Sequence, residues 1–375
     1  MKKVVIAGAG FAGLACVDKL RGSGLEVTVI DRKPDMDFLP LLPDCIGRRI
    51  NPEFLAADIA AFCAKSGAAF VLGEVSSADL RKKVVYTGDK EYPYDCLLIS
   101  SGSQTNFFSD LNAREYAFPL NNLRDLRRIG GILKAGAFDS LIICGAGYTG
   151  IEAATNLRVY FKKKKLEKRV VLVERAPSIL GPLPAWMRDY TVKNLRNLGI
   201  EVLVNSVIEA VREDEVAVSG GKIFKPARLL WVPGVRTADF IQKLELPKNP
   251  QGRIIVDEYL RAGEACFCAG DTAFFSHGGG GPLRMAVQFS LTQGSLAAEN
   301  ILRSLKNLPL KKYRPYDLGY IIPMANNRSC GRVMGLKVSG LPATFLHLLM
   351  CIFRSFGWRN RFGLALNLLK GGEEW

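Results

Sequence analysis

The sequence predicts an α/β protein built from two Rossmann-like dinucleotide-binding domains, followed by a C-terminal amphipathic helical segment. Three observations predict it. The chain opens on a glycine-rich turn, KKVVIAGAGFAG, and carries a second copy of that turn as SLIICGAGYTGIE. In both copies a strand-length apolar run precedes the glycines, and the next apolar run ends on a carboxylate. The last stretch, from 341 onward, changes to a helical apolar pattern edged by Arg and Trp.

In the first copy, residues 4–7 (VVIA) read as a buried parallel strand running into the turn. Gly8 permits the tight turn, Gly10 lets a pyrophosphate approach the backbone, and Gly13 lets the following helix pack on the strand. The phosphates would sit at that helix's N-terminus. A second strand over 26–30 ends at Asp31, about 20 residues on, where a carboxylate meets a ribose hydroxyl. The second copy repeats each part: a strand over 141–144, then Gly145, Gly147 and Gly150, then a strand over 170–173 ending at Glu174. Its helix carries Glu152, either beside the reacting end of a nucleotide or simply as an acid favoured by the helix dipole.

Between the copies the pattern predicts a helical stretch over 53–66, a hairpin-like region over 70–94, and a strand over 96–99 running into Ser100, Ser101, Gly102 and Ser103. The second unit closes in the same way, at 229–235 with Gly234. The likeness of the two closings suggests one domain inserted within the other: 1–110 and 251–335 form the first domain, 111–250 the second, and 336–375 a separate terminal segment. A strand over 265–269 leads to Gly270 and Asp271, an acid at the carboxyl end of a strand where ligands bind in open α/β sheets. A helix over 286–302 follows.

Charge and cysteine content bound the partners and the compartment. Lys and Arg number 51 against 36 Asp and Glu, a net charge of +15 that favours an anionic partner. No helix-turn-helix, zinc-finger or RNP-like pattern accompanies it, and the basic run at 162–165 reads as a solvated helix end, so nucleic acid is not expected. The nine cysteines are scattered without a CxxC pair, and no cleavable signal precedes the first strand, which suggests a reducing, cytoplasmic compartment. Cys266 and Cys268 share one strand face and read as packing. With two histidines, His277 and His347, both read as structural or surface residues, neither a metal nor a catalytic triad is expected. The apolar run at 341–353 is shorter than the roughly 18 residues that span a bilayer. Phe345, Leu348, Leu349, Ile352, Phe353 and Phe356 share a helical face, with Arg354, Trp358, Arg359 and Arg361 at its end and a second apolar segment at 362–370. That pattern suits a membrane interface, or a helix pair docked on its own core or on a dimer mate.

These motifs together resemble the type II NADH dehydrogenases, single-chain FAD-containing NADH:quinone oxidoreductases, nearly from end to end. Phe38-Leu39-Pro40-Leu41-Leu42 resembles the family's segment beside the flavin, the stretch 101–108 its G-x-x-T-N-x-F motif, 268–271 its second flavin motif, and 341–370 its amphipathic anchor. The resemblance implies an FAD domain with an inserted NAD domain. It implies that Gly8, Gly10, Gly13, Asp31 and Asp271 bind FAD, that Gly145, Gly147, Gly150 and Glu174 hold NADH, and that Glu152 lies between the two rings. Phe11, Ala12, Arg32, Pro40, Val75, Ser101, Gly102, Tyr148, Thr149, Gly234, Gly270 and Gln288 complete the candidate cofactor contacts. Glu174 suits a free ribose 2′-hydroxyl and so NADH over NADPH, although Arg169 and Arg175 stand nearby.

One region departs from the family pattern. Where the family has P-P-T-A-Q and a second Gln one turn later, this chain has Arg284-Met285-Ala286-Val287-Gln288 and Thr292, after an unusual glycine run at 278–281. Arg284 either stabilises negative charge on a flavin or quinone or pairs with a surface acid. Glu152, Gln288 and Arg284 are the candidate catalytic residues. The implied activity passes a hydride from NADH to FAD and two electrons to a membrane quinone, without proton pumping, at the cytoplasmic face of the cell membrane, with a homodimer left open. The competing readings are a sulfide:quinone oxidoreductase, for which Cys144 and Cys330 are the candidate thiols, and an NADH-sensing flavoprotein that signals through a protein partner.

Overall fold

The computed structural model of the chain describes residues 1–48, 50–108, 112–277 and 281–370. Cα packing groups them into two compact units. The first comprises Met1–Met36, Ala57–Gln104 and Val235–Asp317; the second comprises Asp37–Ala56, Thr105–Gly234 and Leu318–Trp375. Packing therefore groups 37–56 and 318–375 with the second glycine turn, whereas chain order alone puts 37–56 and the stretch to 335 with the first.

The first unit is built on a six-stranded sheet in the order Arg261–Gly263, Cys266–Cys268, Cys96–Ile99, Lys3–Ala7, Glu26–Asp31, Ala69–Leu72. Every pairing except the one between Arg261–Gly263 and Cys266–Cys268 is parallel. Near-continuous apolar strands such as VVIA and CLLI suit it, because a parallel sheet is covered on both faces. Ile99, Cys266 and Cys268 lie in the same buried cluster as Phe240, Phe275 and Tyr313, so the two cysteines pack as the strand pattern predicts. The helices Phe11–Leu20 and Val287–Leu305 cross so closely that a Cβ on Gly294 would lie 2.1 Å from the Ala12 carbonyl oxygen. That contact explains a glycine inside an otherwise regular helix.

Two stretches of this region differ from the pattern expectation. The helix expected over 53–66 is a 3₁₀ turn at Pro52–Leu55, an extended Ala56–Asp58, and a helix Ile59–Lys65. Asp58 causes the break: its side chain accepts from Ala61 N at 2.8 Å as an N-cap, which requires extended backbone at Asp58. In the region read as a hairpin over 70–94, Ala69–Leu72 instead pairs in parallel with Glu26–Asp31, leaving a three-stranded antiparallel sheet of Ser77–Asp79, Val84–Thr87 and Lys90–Pro93.

The second unit repeats the architecture with five parallel strands in the order Phe118–Pro119, Ala227–Trp231, Ser140–Cys144, Arg169–Val173, Glu201–Leu203. Its glycine turn leads into the helix Tyr148–Lys163. The short helix Leu42–Arg48 lies against that helix, with Gly47 so close that a Cβ would meet the Asn156 side-chain oxygen at 2.5 Å. Lys163 closes the same contact by donating from Nζ to the Gly47 carbonyl at 2.8 Å, so the basic run is partly used in packing rather than wholly solvated.

The C-terminal helices Leu341–Arg354 and Trp358–Lys370 dock within this second unit. Asn360 Nδ2 donates to the Ala56 carbonyl at 2.7 Å, Asn51 N donates to Asn367 Oδ1 at 3.0 Å, and Gly363 leaves room for the Phe54 ring. Their other face stays exposed: Phe345 is 65% exposed, Phe353 69% and Trp358 82%. Arg361 stacks over both Phe353 and Trp358. Among the described residues, no helix is long and apolar enough to cross a membrane.

Candidate functional site

The first glycine turn is shaped for a ligand. Gly8 has φ +109°, and a Cβ there would lie 2.4 Å from the Ser100 carbonyl oxygen. A Cβ on Gly13 would lie 2.0 Å from the Gly8 carbonyl oxygen. These two glycines are needed by the protein itself. Gly10 is not: a Cβ there would meet nothing within 4 Å, which leaves the backbone of the turn open at that point. Asp31 at the strand end accepts from Ala9 N at 2.7 Å and from Lys33 N at 3.0 Å, which fixes its carboxylate at the mouth of the turn. Gly8, Asp31, Arg32, Val75 and Ser101 share one cleft with Gln104 and Phe240. The sequence-predicted residues there thus converge. Phe11 and Ala12 begin the helix, with Ala12 buried against Gly270 and Gly294. Pro40, on the turn Leu39–Leu41, falls by packing in the second unit.

Asp271 stands at the end of the strand Cys266–Cys268, in the 3₁₀ turn Gly270–Thr272. Burial pushes its carboxyl up, opposed by a 2.9 Å hydrogen bond from Ser103 Oγ and by the Arg253 guanidinium. Arg253 is itself buried; it donates from Nε to the Asp271 carbonyl at 2.9 Å and from Nη2 to the Ala273 carbonyl, bracketing the turn. Gly270 holds φ +72°, and its N–H donates to Gln293 Oε1 at 2.8 Å. Gly102, at φ +67°, accepts from Thr272 Oγ1 at 3.2 Å. Arg253 and Gln293 are supports that sequence reading does not single out, and Ser103, read only as part of the strand-end stretch, is brought to the acid by folding. An open cradle at Gly10, a strand-end acid and a second buried acid fit a dinucleotide such as FAD.

The second turn matches the first contact for contact. Gly145 has φ +102°, with the Pro233 Cα where its Cβ would stand, and a Cβ on Gly150 would lie 1.9 Å from the Gly145 carbonyl oxygen. Gly147 again faces open space. Glu174 accepts from Ala146 N at 2.8 Å and from Ala176 N at 2.9 Å. Tyr148 and Thr149 open the helix, with the Tyr148 ring edge-on to Tyr320, and the Gly234 carbonyl accepts from Asn106 N at 3.1 Å. Arg169 is engaged with Glu201 at 2.9 Å, leaving exposed Arg175 as the basic neighbour of Glu174.

Glu152 lies one turn into that helix, and desolvation pushes its carboxyl up to about 8. His347 and Asp44 are the charged groups acting on it: His347 draws the value down and Asp44 raises it. Asp44, from Leu42–Arg48, has a side chain only 2% exposed and accepts from Arg48 Nε at 2.8 Å. Its other oxygen lies 3.8 Å from His347 Nε2. Burial alone would lower the His347 imidazole, but Cys351 and Asp44 more than offset it, so it is raised well above its ordinary range. His347 is therefore a half-buried neighbour of Asp44 whose charge also acts on Glu152, a structural placement that the sequence reading allowed without its neighbours. The signal available for Asp44 and His347 was an ionisable residue inside an otherwise apolar helical run.

Gln288 and Arg284 come together at the start of Val287–Leu305. Arg284 pairs through both terminal nitrogens with Asp317, Nη2 to Oδ1 at 2.7 Å, and Gln288 Nε2 donates to the same Oδ1 at 3.0 Å. Arg284 thus has an acid partner, one of its two sequence alternatives. Thr292, where the family has its second Gln, lies 2.8 Å through Oγ1 from the Tyr313 hydroxyl. The glycines at 278–280 lie outside the described residues. Burial pushes the Cys144 thiol up to about 12 and raises Cys330, which disfavours thiolate at either position. No group of metal-ligating side chains forms among the described residues.

The family model for pyridine nucleotide-disulphide oxidoreductases matches residues 2–295. A type II NADH:quinone oxidoreductase of Staphylococcus saprophyticus is 25% identical, over 92% of this chain and 93% of that one. The demethylphylloquinone reductase NdbB of Synechocystis is 24% identical, over 98% and 95%. Among solved structures, NDH2 of Plasmodium falciparum in complex with NADH superposes with a TM-score of 0.88, at 16% identity over 98% of each chain.

Proposed function

The chain belongs to the pyridine nucleotide-disulphide oxidoreductase family, and we propose that within it the protein is a type II NADH:quinone oxidoreductase that uses FAD and pumps no protons. The observation that carries the reading is the pair of complete glycine-and-acid turns in one chain, on a sequence that quinone-reducing relatives cover almost to both ends. Bound FAD supplies the chemistry, accepting a hydride from NADH and releasing two electrons to the quinone.

The chain's residues bind and orient. Gly8, Gly10, Gly13 and Asp31 hold the adenosine and pyrophosphate of FAD, and Asp271, braced by Ser103 and Arg253, holds its ribityl hydroxyls. Gly145, Gly147, Gly150 and Glu174 hold NADH. A carboxylate already fixed by two backbone N–H groups accepts a ribose 2′-hydroxyl and repels a 2′-phosphate, which favours NADH over NADPH. Glu152, protonated across much of the neutral range, donates a hydrogen bond without bringing negative charge to the nicotinamide end. Gln288 borders the acceptor. The exposed apolar face of the two terminal helices, edged by Arg354, Arg359 and Arg361, supports peripheral attachment to an anionic membrane surface, where a quinone is met, at the cytoplasmic face.

Stopped-flow spectroscopy of the holoenzyme tests this directly. NADH should bleach the flavin and a naphthoquinone or benzoquinone should restore its colour, with sedimentation on anionic liposomes lost on removal of 341–375. A flavin that NADH reduces and no quinone reoxidises would overturn the assignment.

A further inference from the structure

Arg284 and Thr292, two of the departures from the family pattern, are the two ends of one clasp. Thr292 meets the Tyr313 hydroxyl at 2.8 Å, and Arg284 grips Asp317 with both terminal nitrogens. Tyr313 is anchored in the core of its unit, with its ring 5.1 Å edge-on from Phe275 and its N–H on the Glu258 carbonyl at 2.6 Å. The stretch 313–317 is thereby held along the first turns of Val287–Leu305. Asp317 then presents Oδ1 to Gln288, whose side chain is only 8% exposed and needs a polar partner there.

From this arrangement we propose that Asp317 is a positioning residue: it aims the Gln288 side-chain amide at the electron acceptor, and Arg284 holds Asp317 in the orientation that does so. The inference rests on the acceptor role assigned to Gln288 above. An amide nitrogen has two hydrogens in a fixed plane, so an acceptor on one of them sets the direction of the other. Asp317 is 46% exposed in its side chain, and the bidentate guanidinium narrows its range of orientations. Arg284 in turn lies over the Phe289 ring at 5.2 Å, which limits its own rotamers. Such a surface-accessible pair contributes little to stability. Its effect is on geometry, where a displacement of an ångström changes rates steeply.

The test is a double-mutant cycle of Asp317→Ala and Gln288→Ala in the FAD-loaded, full-length protein, reading quinone kcat/KM and the rate of flavin reduction by NADH separately. Asp317→Ala should lower quinone kcat/KM roughly tenfold while leaving flavin reduction by NADH unchanged, and should cost nothing further in the Gln288→Ala background. Asp317→Asn, which keeps an oxygen for Gln288, should recover part of the loss. Equal losses in both backgrounds, or no loss in either, would overturn the role of Asp317. A crystal structure of holo Asp317→Ala decides the positioning claim apart from the acceptor's identity: a moved Gln288 amide supports it, and an unmoved one overturns it. A wild-type enzyme that reduces no quinone would instead count against the functional reading.

Discussion

The two glycine turns agree to within tenths of an ångström, and the helices that leave them bury many of the same positions but carry different polar groups. Acid to backbone N–H is 2.7 Å in one and 2.8 Å in the other, and a Cβ on the third glycine would lie 2.0 and 1.9 Å from the carbonyl oxygen of the first. The helix Phe11–Leu20 then buries Ala12, Leu14, Cys16 and Val17 and presses its backbone against Gly294. By contrast, Tyr148–Lys163 carries Glu152, Thr155 and Asn156 toward a neighbourhood that holds Asp44 and His347. The turns say that nucleotides bind. The helix faces differ in that the second carries Glu152 into the field of Asp44 and His347.

The comparison breaks most sharply at the third glycines. Gly13→Val and Gly150→Val each place a side chain where a backbone carbonyl stands, and neither carbonyl can move without unmaking its turn. Gly13→Val should yield protein without flavin. Gly150→Val should keep its flavin but lose NADH-driven flavin reduction by about a hundredfold or more. Flavin absorbance per protein and stopped-flow reduction separate the two, and a Gly150→Val protein that arrives without flavin would undo the assignment of one nucleotide to each turn.

A smaller effect is expected at the strand-end acids. Glu174→Ala leaves the Ala146 and Ala176 N–H groups without their acceptor and removes the ribose partner, a loss on the order of 1–3 kcal/mol. KM for NADH should rise about tenfold, and the preference over NADPH should narrow. Asp31→Ala should leave KM for NADH alone and instead loosen FAD, seen as flavin lost on gel filtration. If the two effects were exchanged, with Asp31→Ala raising KM for NADH and Glu174→Ala loosening FAD, the order of the two turns would have to be reversed.

Much of this was legible because it is local. The spacing of Gly8, Gly10, Gly13 and Asp31 confines a strand, a turn and a helix start to about 25 residues, and backbone sterics do the rest. The strand Cys96–Ile99 and the helix Leu341–Arg354 were readable from apolar period alone. Where reading stopped, either a competing local signal was outweighed or a distant group was needed. Asp58 as an N-cap split the helix expected over 53–66, a local signal outweighed by the apolar pattern around it. Asp44 and His347 lie some 300 residues apart in sequence and 3.8 Å apart in space, and neither has a spacing motif to join them. Arg284 was open between two partners because Asp317 lies 33 residues further on, in a stretch with no regular structure to predict its path.

The finest distinction between the two helices is the protonation of Glu152, and stability against pH reads it. Its carboxyl moves from 4.5 to about 8 on folding, through desolvation first, with Asp44 adding to it and His347 opposing it. Between those values the folded chain holds a proton that the unfolded chain has released, so ν_U − ν_N is negative and stability falls as pH rises. The cost is absent below the lower value and fully developed above the higher one. Glu152→Gln cannot ionise and removes it. The variant should therefore match the wild-type Tm near the lower value and exceed it by a few degrees above the higher one, measured on the holoenzyme by calorimetry at a series of pH values. His347 titrates in the same neighbourhood, with the opposite sign: its raised value adds stability below its unfolded range that is lost as pH rises through its folded one. Repeating the series with His347→Gln in both backgrounds separates the two contributions. Parallel wild-type and Glu152→Gln curves would mean that Glu152 ionises normally when folded, and the second helix would then differ from the first in sequence but not in the protonation it imposes.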